Sequence, residues 1–393
     1  MNKQKNLILC LDWSNLAFRS LYMYSLFNDS ETMDNVVSID NYIFKFAQDL
    51  TSILKIFAAT RIVFAADAPH SWRKDILKSY KSSRQKSKTF DWELIYKKLD
   101  AFRDVLERNG FIFGSAMNAE ADDIMALVKE IAFDDDDFKG KENLIFVTAD
   151  ADIRQLIDFD QNTHQYAMVY DEIAKGKGGK RHLFCNSDMK RWLDDTETEN
   201  DIFFTNFDLN RNYVNNIISG NTVKKIQLEV TDPNNILLSK IFCGDDGDDV
   251  PAFYSWYGNK GNKIRVTNSK FVKLKELMEI NSVKQLDAKK DMLKESLEKA
   301  INRDINDIDC NKRLVRQKKL VELKSELFPE NIRLYKADLK YKLLNGKTWG
   351  TSIKMKDLIH DSDIMKTMHR VSSARDADIF SSLKPDFLRH INN

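Results

Sequence analysis

Three short apolar runs along the chain each stop at an aspartate. Residues 6–11 (NLILCL) stop at Asp12, residues 61–66 (RIVFAA) at Asp67, and residues 144–149 (LIFVTA) at Asp150. Runs this short, rich in Ile, Val, Leu and Phe, read as strands buried on both faces of a parallel sheet. The segments between them, such as 39–57 and 92–108, are long enough for crossover helices. The alternation predicts an α/β fold with a parallel sheet. Such sheets collect ligands at the carboxyl ends of their strands, and each predicted strand here delivers an aspartate to that edge.

Other signals mark helices. Asn118 reads as an N-cap, and residues 119–130 (AEADDIMALVKE) continue as an amphipathic helix with Glu120, Asp122 and Asp123 in its first turns. Asp232-Pro233 starts a second helix that runs through ILLSKIF to Gly244. Residues 287–324 read as helical and densely charged, and beyond Phe328 the pattern weakens. Residues 160–225 are of mixed polarity, include the glycine-rich KGKGGK at 175–180, and read as an insertion with a flexible loop. Asp134–Asp137 is a run of aspartates that reads as a solvated loop. No internal repeat is evident.

Composition narrows the function classes. The chain has 393 residues, 42% of them hydrophobic, and carries 61 basic against 60 acidic side chains. The near-zero net charge neither favours nor excludes nucleic acid. The local distribution says more: residues 70–88 (HSWRKDILKSYKSSRQKSK) hold seven Lys or Arg and a single acidic residue, Asp75. Cys10, Cys185, Cys243 and Cys310 are scattered without zinc-ligand spacing, and read as reduced, structural thiols in a cytoplasm (the host's, if the chain is viral). No apolar run reaches membrane length. The six histidines form no HExxH cluster, and no GxxxxGK[ST] loop occurs, so a zinc enzyme and a nucleotide-driven motor are both disfavoured.

The acidic residues at these marked positions are Asp12, Asp67, Glu120, Asp122, Asp123, Asp150, Asp152, Asp245 and Asp248. Singly, each has an ordinary explanation: an aspartate after a strand forms turns, and acids in a first helical turn favour the macrodipole. Together, at one edge, they would repel strongly. Divalent cations remove that repulsion. Mg²⁺ prefers oxygen ligands and retained waters, and two ions about 3.5–4 Å apart can clamp a phosphodiester.

LDWSNLAFRS at 11–20, FAADAPHSWRKDILKSYKSSR at 64–84, AEADDIMA at 119–126, VTADADIRQL at 147–156 and GDDGDDVP at 244–251 resemble, in this order, the motifs of the 5′-nuclease or flap endonuclease family. CNKRLVRQKKLVEL at 310–323 is similar to the end of phage members of the ribonuclease H or 5′-exonuclease type. The resemblance spans roughly residues 6–275. It implies a PIN-like parallel-sheet core over residues 1–160, with a helical arch at about 70–110. It further implies remaining core plus insertion at 161–230, a helix-hairpin-type DNA-binding module at 231–330, and an extension of unknown role at 331–393. It implies two Mg²⁺ ions, replaceable by Mn²⁺. Asp67, Glu120 and Asp122 look like the first-metal group with Asp12 nearby, and Asp150, Asp152 and Asp245 like the second with Asp248 in support. Asp123 has no clear place in either.

By the same resemblance, Lys81 and Arg84 fall where the family sets cations against the scissile phosphate. Arg73, Lys74 and Lys78 would support them, and Trp72 and Tyr80 are candidates to stack on an unpaired base. One motif departs: the glycine-rich hairpin that usually follows GDDGDDVP is replaced by AFYSWYGNKGNKIRVTNSKFVKLK. Duplex contacts then fall to Lys260, Lys263, Arg265 and Lys270. The expected partners are branched, nicked or RNA-primed duplex DNA, with a single-strand-binding protein or sliding clamp as a protein partner class, and the expected state is a monomer. Two further readings remain open, a PIN-type ribonuclease and a DNA-junction binding protein without catalysis.

Overall fold

A computed structural model of the chain describes residues 5–27, 33–57, 59–173, 180–194, 226–257, 263–266, 268–301 and 310–348. The three apolar runs are strands β1 (Asn6–Asp12), β2 (Arg61–Ala65) and β4 (Glu142–Val147). With β3 (Ile112–Gly114), β6 (Gln165–Ile173), β7 (Lys180–Cys185) and β8 (Ile226–Val230) they form a sheet of order β3-β2-β1-β4-β6-β7-β8, and β5 (Asp158–Asp160) pairs with β6. The pairs from β3 to β6 in that order are parallel, and β7 runs antiparallel to β6. The α/β expectation is met.

Alternation along β1 divides the core into two layers. Leu7, Leu9 and Leu11 face α1 (Trp13–Phe27), α2 (Val36–Ile56) and α4 (Trp92–Arg108). Ile8 and Cys10 face α5 (Ala121–Asp134) on the other side. Trp13, the residue after Asp12, lies edge-on to Phe46, Phe64 and Phe113 at ring-centroid distances of 5.2, 5.5 and 5.2 Å. Such aromatic contacts add to plain burial, and they fix the backbone at the point where Asp12 emerges.

A third apolar cluster belongs to a helical unit. α7 (Pro233–Cys243), α8 (Asn268–Leu277), α9 (Val283–Ile301) and α10 (Cys310–Val321) gather around Phe242, Phe253 and Leu286. α7 starts where Asp232-Pro233 predicts it, with Asp232 accepting from Asn234 N–H at 2.9 Å. All four cysteines are buried and none is in a disulfide. Among the described residues no helix is long and apolar enough to cross a membrane.

Several expectations are corrected. The range of about 70–110, expected as an arch, is helical in two separate parts. Only α3 (Arg73–Ile76) is helical before a run of turns, and α4 is the crossover to β3, with Ile95, Leu99 and Phe102 buried in the core. α5 begins at Ala121 rather than 119, because the extended Glu120 (φ −90°, ψ 161°) is the N-cap in place of Asn118. Within the 161–230 range, expected as remaining core plus insertion, β6 and β7 lie inside the main sheet; residues 174–179 and 195–225 lie outside the described residues. The 331–393 extension includes α11 (Glu330–Asn345), whose Ile332, Leu339 and Leu343 complete the α5 layer. Asp135 and Asp137, from the aspartate run, both bind Lys340 of α11 at 2.8 Å.

Gly244 ends α7 with φ 75° and ψ −170°, a region open essentially to glycine. A Cβ there would stand 2.4 Å from Val250 O and 2.6 Å from Ala252 N. Gly244→Ala should therefore destabilise the protein by at least about 1–3 kcal/mol, the usual cost of such a backbone conformation, and chemical denaturation measures it. Unchanged stability would mean that the 245–250 turn is not held as described.

Candidate active site

The carboxyl edge of the sheet brings separate segments together. Asp12 closes β1; its Oδ1 accepts from Asn15 N–H and its Oδ2 from Thr148 Oγ–H, both at 3.0 Å. Asp67 follows β2 and accepts from Ala121 N–H at 2.9 Å, which ties the β2 loop to the first turn of α5. Asp150 follows β4 and accepts from Asp152 N–H at 2.8 Å, capping the short 3-10 turn 151–156. Asp245 and Asp248 lie in the turn after α7, which is closed by paired backbone hydrogen bonds between Asp245 and Val250. One oxygen from each of Asp152, Asp245 and Asp248 falls within 4.8 Å of the others, although the residues come from two distant segments.

These carboxylates disturb one another. Burial, then the charge of Asp67, pushes the Asp12 carboxyl up to about 7. Burial and then Asp150 and Asp12 raise Asp122 well above the usual range. Burial and Asp150 bring Asp152 to about 6, even with Lys240 opposing them. A set of oxygen donors this crowded and reluctant to ionise suits hard divalent cations.

Side-chain cations supply part of the compensation. Lys240, on the last turn of α7, reaches Asp152 Oδ1 at 2.7 Å and also pairs with Asp245. Burial opposes its charge, but the two aspartates outweigh it and raise its pKa. Lys81 Nζ pairs with Glu120 and lies 3.8 Å from Asp248 Oδ2, while the exposed Arg84 pairs with Asp248 Oδ1. Neither residue is on a helix: Lys81 has φ 55° within a turn, so a shared helix face is not what unites them. The turn is pinned to the 245–250 turn by Lys81 N–H to Asp248 O at 3.0 Å and Ser83 N–H to Asp249 Oδ2 at 2.7 Å.

Five expected site residues have other surroundings. Arg73 is 2% exposed and donates to Asp123 (2.8 and 3.1 Å), Glu120 (2.8 Å) and Leu320 O (2.9 Å), so it is an internal cation and not a phosphate contact. Asp123 is fully buried, and accepts also from Trp72 Nε1–H and from Glu120 N–H, both at 2.9 Å, which removes it from the metal-facing set. Trp72 and Tyr80 are buried, and the Tyr80 hydroxyl bonds to Glu120 and Asp248. Neither ring offers a face for a base. Both oxygens of Glu120 are taken by Arg73, Tyr80 and Lys81; burial opposes its ionisation, but Arg73 and Lys81 prevail and hold it near 2.

Lys78 and Lys270 are exposed and Lys74 is half-buried. Lys263 and Arg265 belong to β10 (Lys263–Arg265), which pairs with β9 (Ser255–Tyr257), and Lys260 lies outside the described residues. Lys240 was not singled out by sequence, although it stands five residues before Asp245 on the helix leading into that turn. Asn15 was also missed; its Oδ1 accepts from Ala149 N–H at 3.1 Å and joins the β1 and β4 ends.

Two expectations follow from this charge balance. Asp12 and Asp152 titrate near 7 and 6 in the folded protein, above the ordinary carboxylate value of about 4. Between those limits the folded state holds more protons than the unfolded state. Their contribution is thus fully present below about pH 4 and lost as pH rises toward 7. Chemical denaturation of metal-free protein should show stability falling from about pH 4.5 to 7.5, with Mg²⁺ restoring it at the upper end; a rise with Mg²⁺ ineffective would mean that the carboxylates are not crowded. Arg73→Met would leave Asp123 buried and unpaired, and should destabilise by about 3–5 kcal/mol, read from the shift in denaturation midpoint. A loss under about 1 kcal/mol would place Arg73 nearer solvent than described.

Residues 7–181 match the family model described as 5′-3′ exonuclease, N-terminal resolvase-like domain. A protein of Mycoplasmopsis pulmonis (strain UAB CTIP) named 5′-3′ exonuclease is 28% identical over 151 residues, covering 38% of this chain and 45% of that protein. The chain thus spans less than half the length of that relative. Among solved structures, the bacteriophage T5 flap endonuclease in a complex with DNA and metal ions aligns at 14% identity. That alignment covers 93% of this chain and 98% of that one, with a TM-score of 0.40. The catalytic core of Rad2 in complex with DNA substrate aligns at 12% identity over 91% of each chain, also with a TM-score of 0.40. The family match includes Asp12, Asp67, Glu120, Asp122, Asp150 and Asp152 and stops short of Asp245 and Asp248. Residues 7–181 are thus similar to the N-terminal resolvase-like domain of 5′-3′ exonucleases.

Proposed function

We propose that the chain is a divalent-metal-dependent 5′-nuclease acting on branched, nicked or RNA-primed duplex DNA, with removal of RNA primers or 5′ flaps during phage DNA replication as its task. The observation that carries this is the gathering of Asp152, Asp245 and Asp248 within 4.8 Å, beside the strand-end aspartates. Asp152, Asp245 and Asp248 would hold one ion and Asp12, Asp67, Asp122 and Asp150 a second, Mg²⁺ or Mn²⁺, supplying Lewis-acid stabilisation and an activated water for phosphodiester hydrolysis.

The chain's own groups do the positioning. Lys81 is half-buried and fixed from below by Glu120, so its ammonium is pre-oriented toward charge that grows on an attacked phosphate. Arg84, more exposed on Asp248, is suited to steering the strand. Lys240 pairs with Asp152 and Asp245 and offsets part of their repulsion. Terminal nucleotides must unpair to reach the edge; this costs a few kcal/mol and is cheapest at ends and junctions, which favours structure over sequence. The helical unit within 231–330, with Lys270 exposed on α8, is the proposed duplex-binding part.

Cleavage of nicked, flapped and RNA-primed duplexes with Mg²⁺ and with EDTA tests the proposal. Cutting near the 5′ end of structured DNA, abolished by EDTA, is expected. Cutting of single-stranded RNA alone would favour the ribonuclease reading, and tight binding without cutting the junction-binding one. Lys81→Ala and Arg84→Ala should slow single-turnover cleavage, Lys81→Ala by on the order of 10²–10³, while duplex affinity falls only modestly. Equal losses in rate and affinity would reduce both residues to simple DNA contacts.

A further inference from the structure

β6 carries a fourth aspartate to the same edge. Val147 of β4 is in register with Leu11 of β1 and with Tyr170 of β6, so Asp171 stands level with Asp12 and Thr148. Asp171 is 4% exposed. It is not joined to the other carboxylates, because two arginines take it. Arg19 Nη1 lies 3.3 Å from its Oδ1 and Arg154 Nη2 lies 3.9 Å from its Oδ2. Arg19 is on α1, the helix that leaves Asp12, and Arg154 follows Asp152 by two residues.

Arg154 is held on its other side by Phe184 of β7, whose ring centre lies 3.7 Å from the guanidinium carbon. Arg154 lies on the short 3-10 turn 151–156 that Asp150 caps, so its segment starts from the carboxylate edge. Arg73 donates to four acceptors and is sealed off. Arg19 donates one hydrogen bond and Arg154 none among the described residues, yet both are partly ordered by burial, with side chains 26% and 21% exposed. Two cations share one buried anion, and among the described residues most of both donor forks meet no protein acceptor. A planar fork of this kind matches phosphate oxygens.

We propose that Arg19 and Arg154, set side by side by the buried Asp171, form a clamp on the β6–β7 side of the carboxylate edge that grips a phosphodiester of the bound strand. This rests on the nuclease reading of the edge. Lys81 and Arg84 approach the edge through Glu120 and Asp248, whereas this clamp approaches it from Asp171 of β6 and the 151–156 turn, so the strand is held from both sides of the carboxylates. Asp171 acts as a positioning residue and does not touch the strand.

The test uses the full chain, with Ca²⁺ in place of Mg²⁺ to prevent cutting, and salt-titrated binding to a 5′-flapped duplex. Arg154→Ala should lower affinity on the order of tenfold, as expected for losing one charge-assisted hydrogen-bonded pair, and make the salt slope shallower by about one. Arg154→Lys should restore the slope. A single neutral methylphosphonate linkage, scanned along the strand, should weaken wild-type binding at one position and weaken Arg154→Ala no further there. Arg19→Ala is read in the same way if Arg154→Ala does not fold. Unchanged slope and fully additive losses at every linkage, in a wild type that binds and cuts, would overturn the clamp alone. A loss produced only by removing the 5′-terminal phosphate would overturn the internal phosphodiester in favour of the chain end. A wild type that neither binds nor cuts flapped DNA would overturn the nuclease reading itself.

Discussion

Carboxylate repulsion at a fixed sheet edge is the constraint on which the arrangement depends. β1, β2 and β4 are locked in register by backbone hydrogen bonds, so Asp12, Asp67 and Asp150 cannot drift apart to relieve their charges. The energy must be met by neighbours. Burial and mutual repulsion hold Asp12, Asp122 and Asp152 toward protonation, and cations from elsewhere in the chain oppose this. Each cation arrives on a different element: Lys81 on the turn after α3, Lys240 on α7, Arg73 on α3 itself. The edge therefore joins the sheet domain to the helical unit by charge as well as by packing.

The cations fall into two kinds, and burial distinguishes them. Arg73 completes an internal network with Asp123, Trp72 and Glu120, in which every partner is bonded. Removing one member of such a network strands a charge, which is why buried pairs are costly to break even when they add little net stability. Lys81, Arg84 and Lys240 keep solvent access and paired carboxylates at once. Groups of that sort can exchange partners when a phosphate or a metal ion competes, because the alternative partner offers comparable charge.

Much of this was legible in the sequence for a simple reason. Buried parallel strands must be uninterrupted apolar runs, so 6–11, 61–66 and 144–149 announced themselves, and the aspartates that end them marked the edge. The start of α7 was equally plain from Asp232-Pro233. The basic stretch was not. A run of Lys and Arg looks alike on a helix, in a turn or in the interior, and only tertiary contacts told Arg73 from Lys81. Asp123 and Arg73 are 50 residues apart in sequence, and nothing local links them. Asp171 was hidden because β6 (QYAMVYDEI) mixes polar and apolar positions, as a strand with an antiparallel neighbour does. α11 was blurred by exposed Leu334, Tyr341 and Leu344, which obscure the buried Ile332, Leu339 and Leu343.

α11 also sets an order of events during synthesis. It covers α5 and β3, Arg61 of β2 donates to its Leu343 carbonyl at 2.8 Å, and Lys340 binds the loop after α5. The ribosome releases α5 long before it makes residues 330–345. At about 5–20 residues per second, the part of α5 that α11 covers stays exposed on the nascent chain for roughly 10–40 s. Over that interval the polypeptide presents a surface of the kind that holdase chaperones bind, and the sheet cannot close its second layer until residue 345 has emerged.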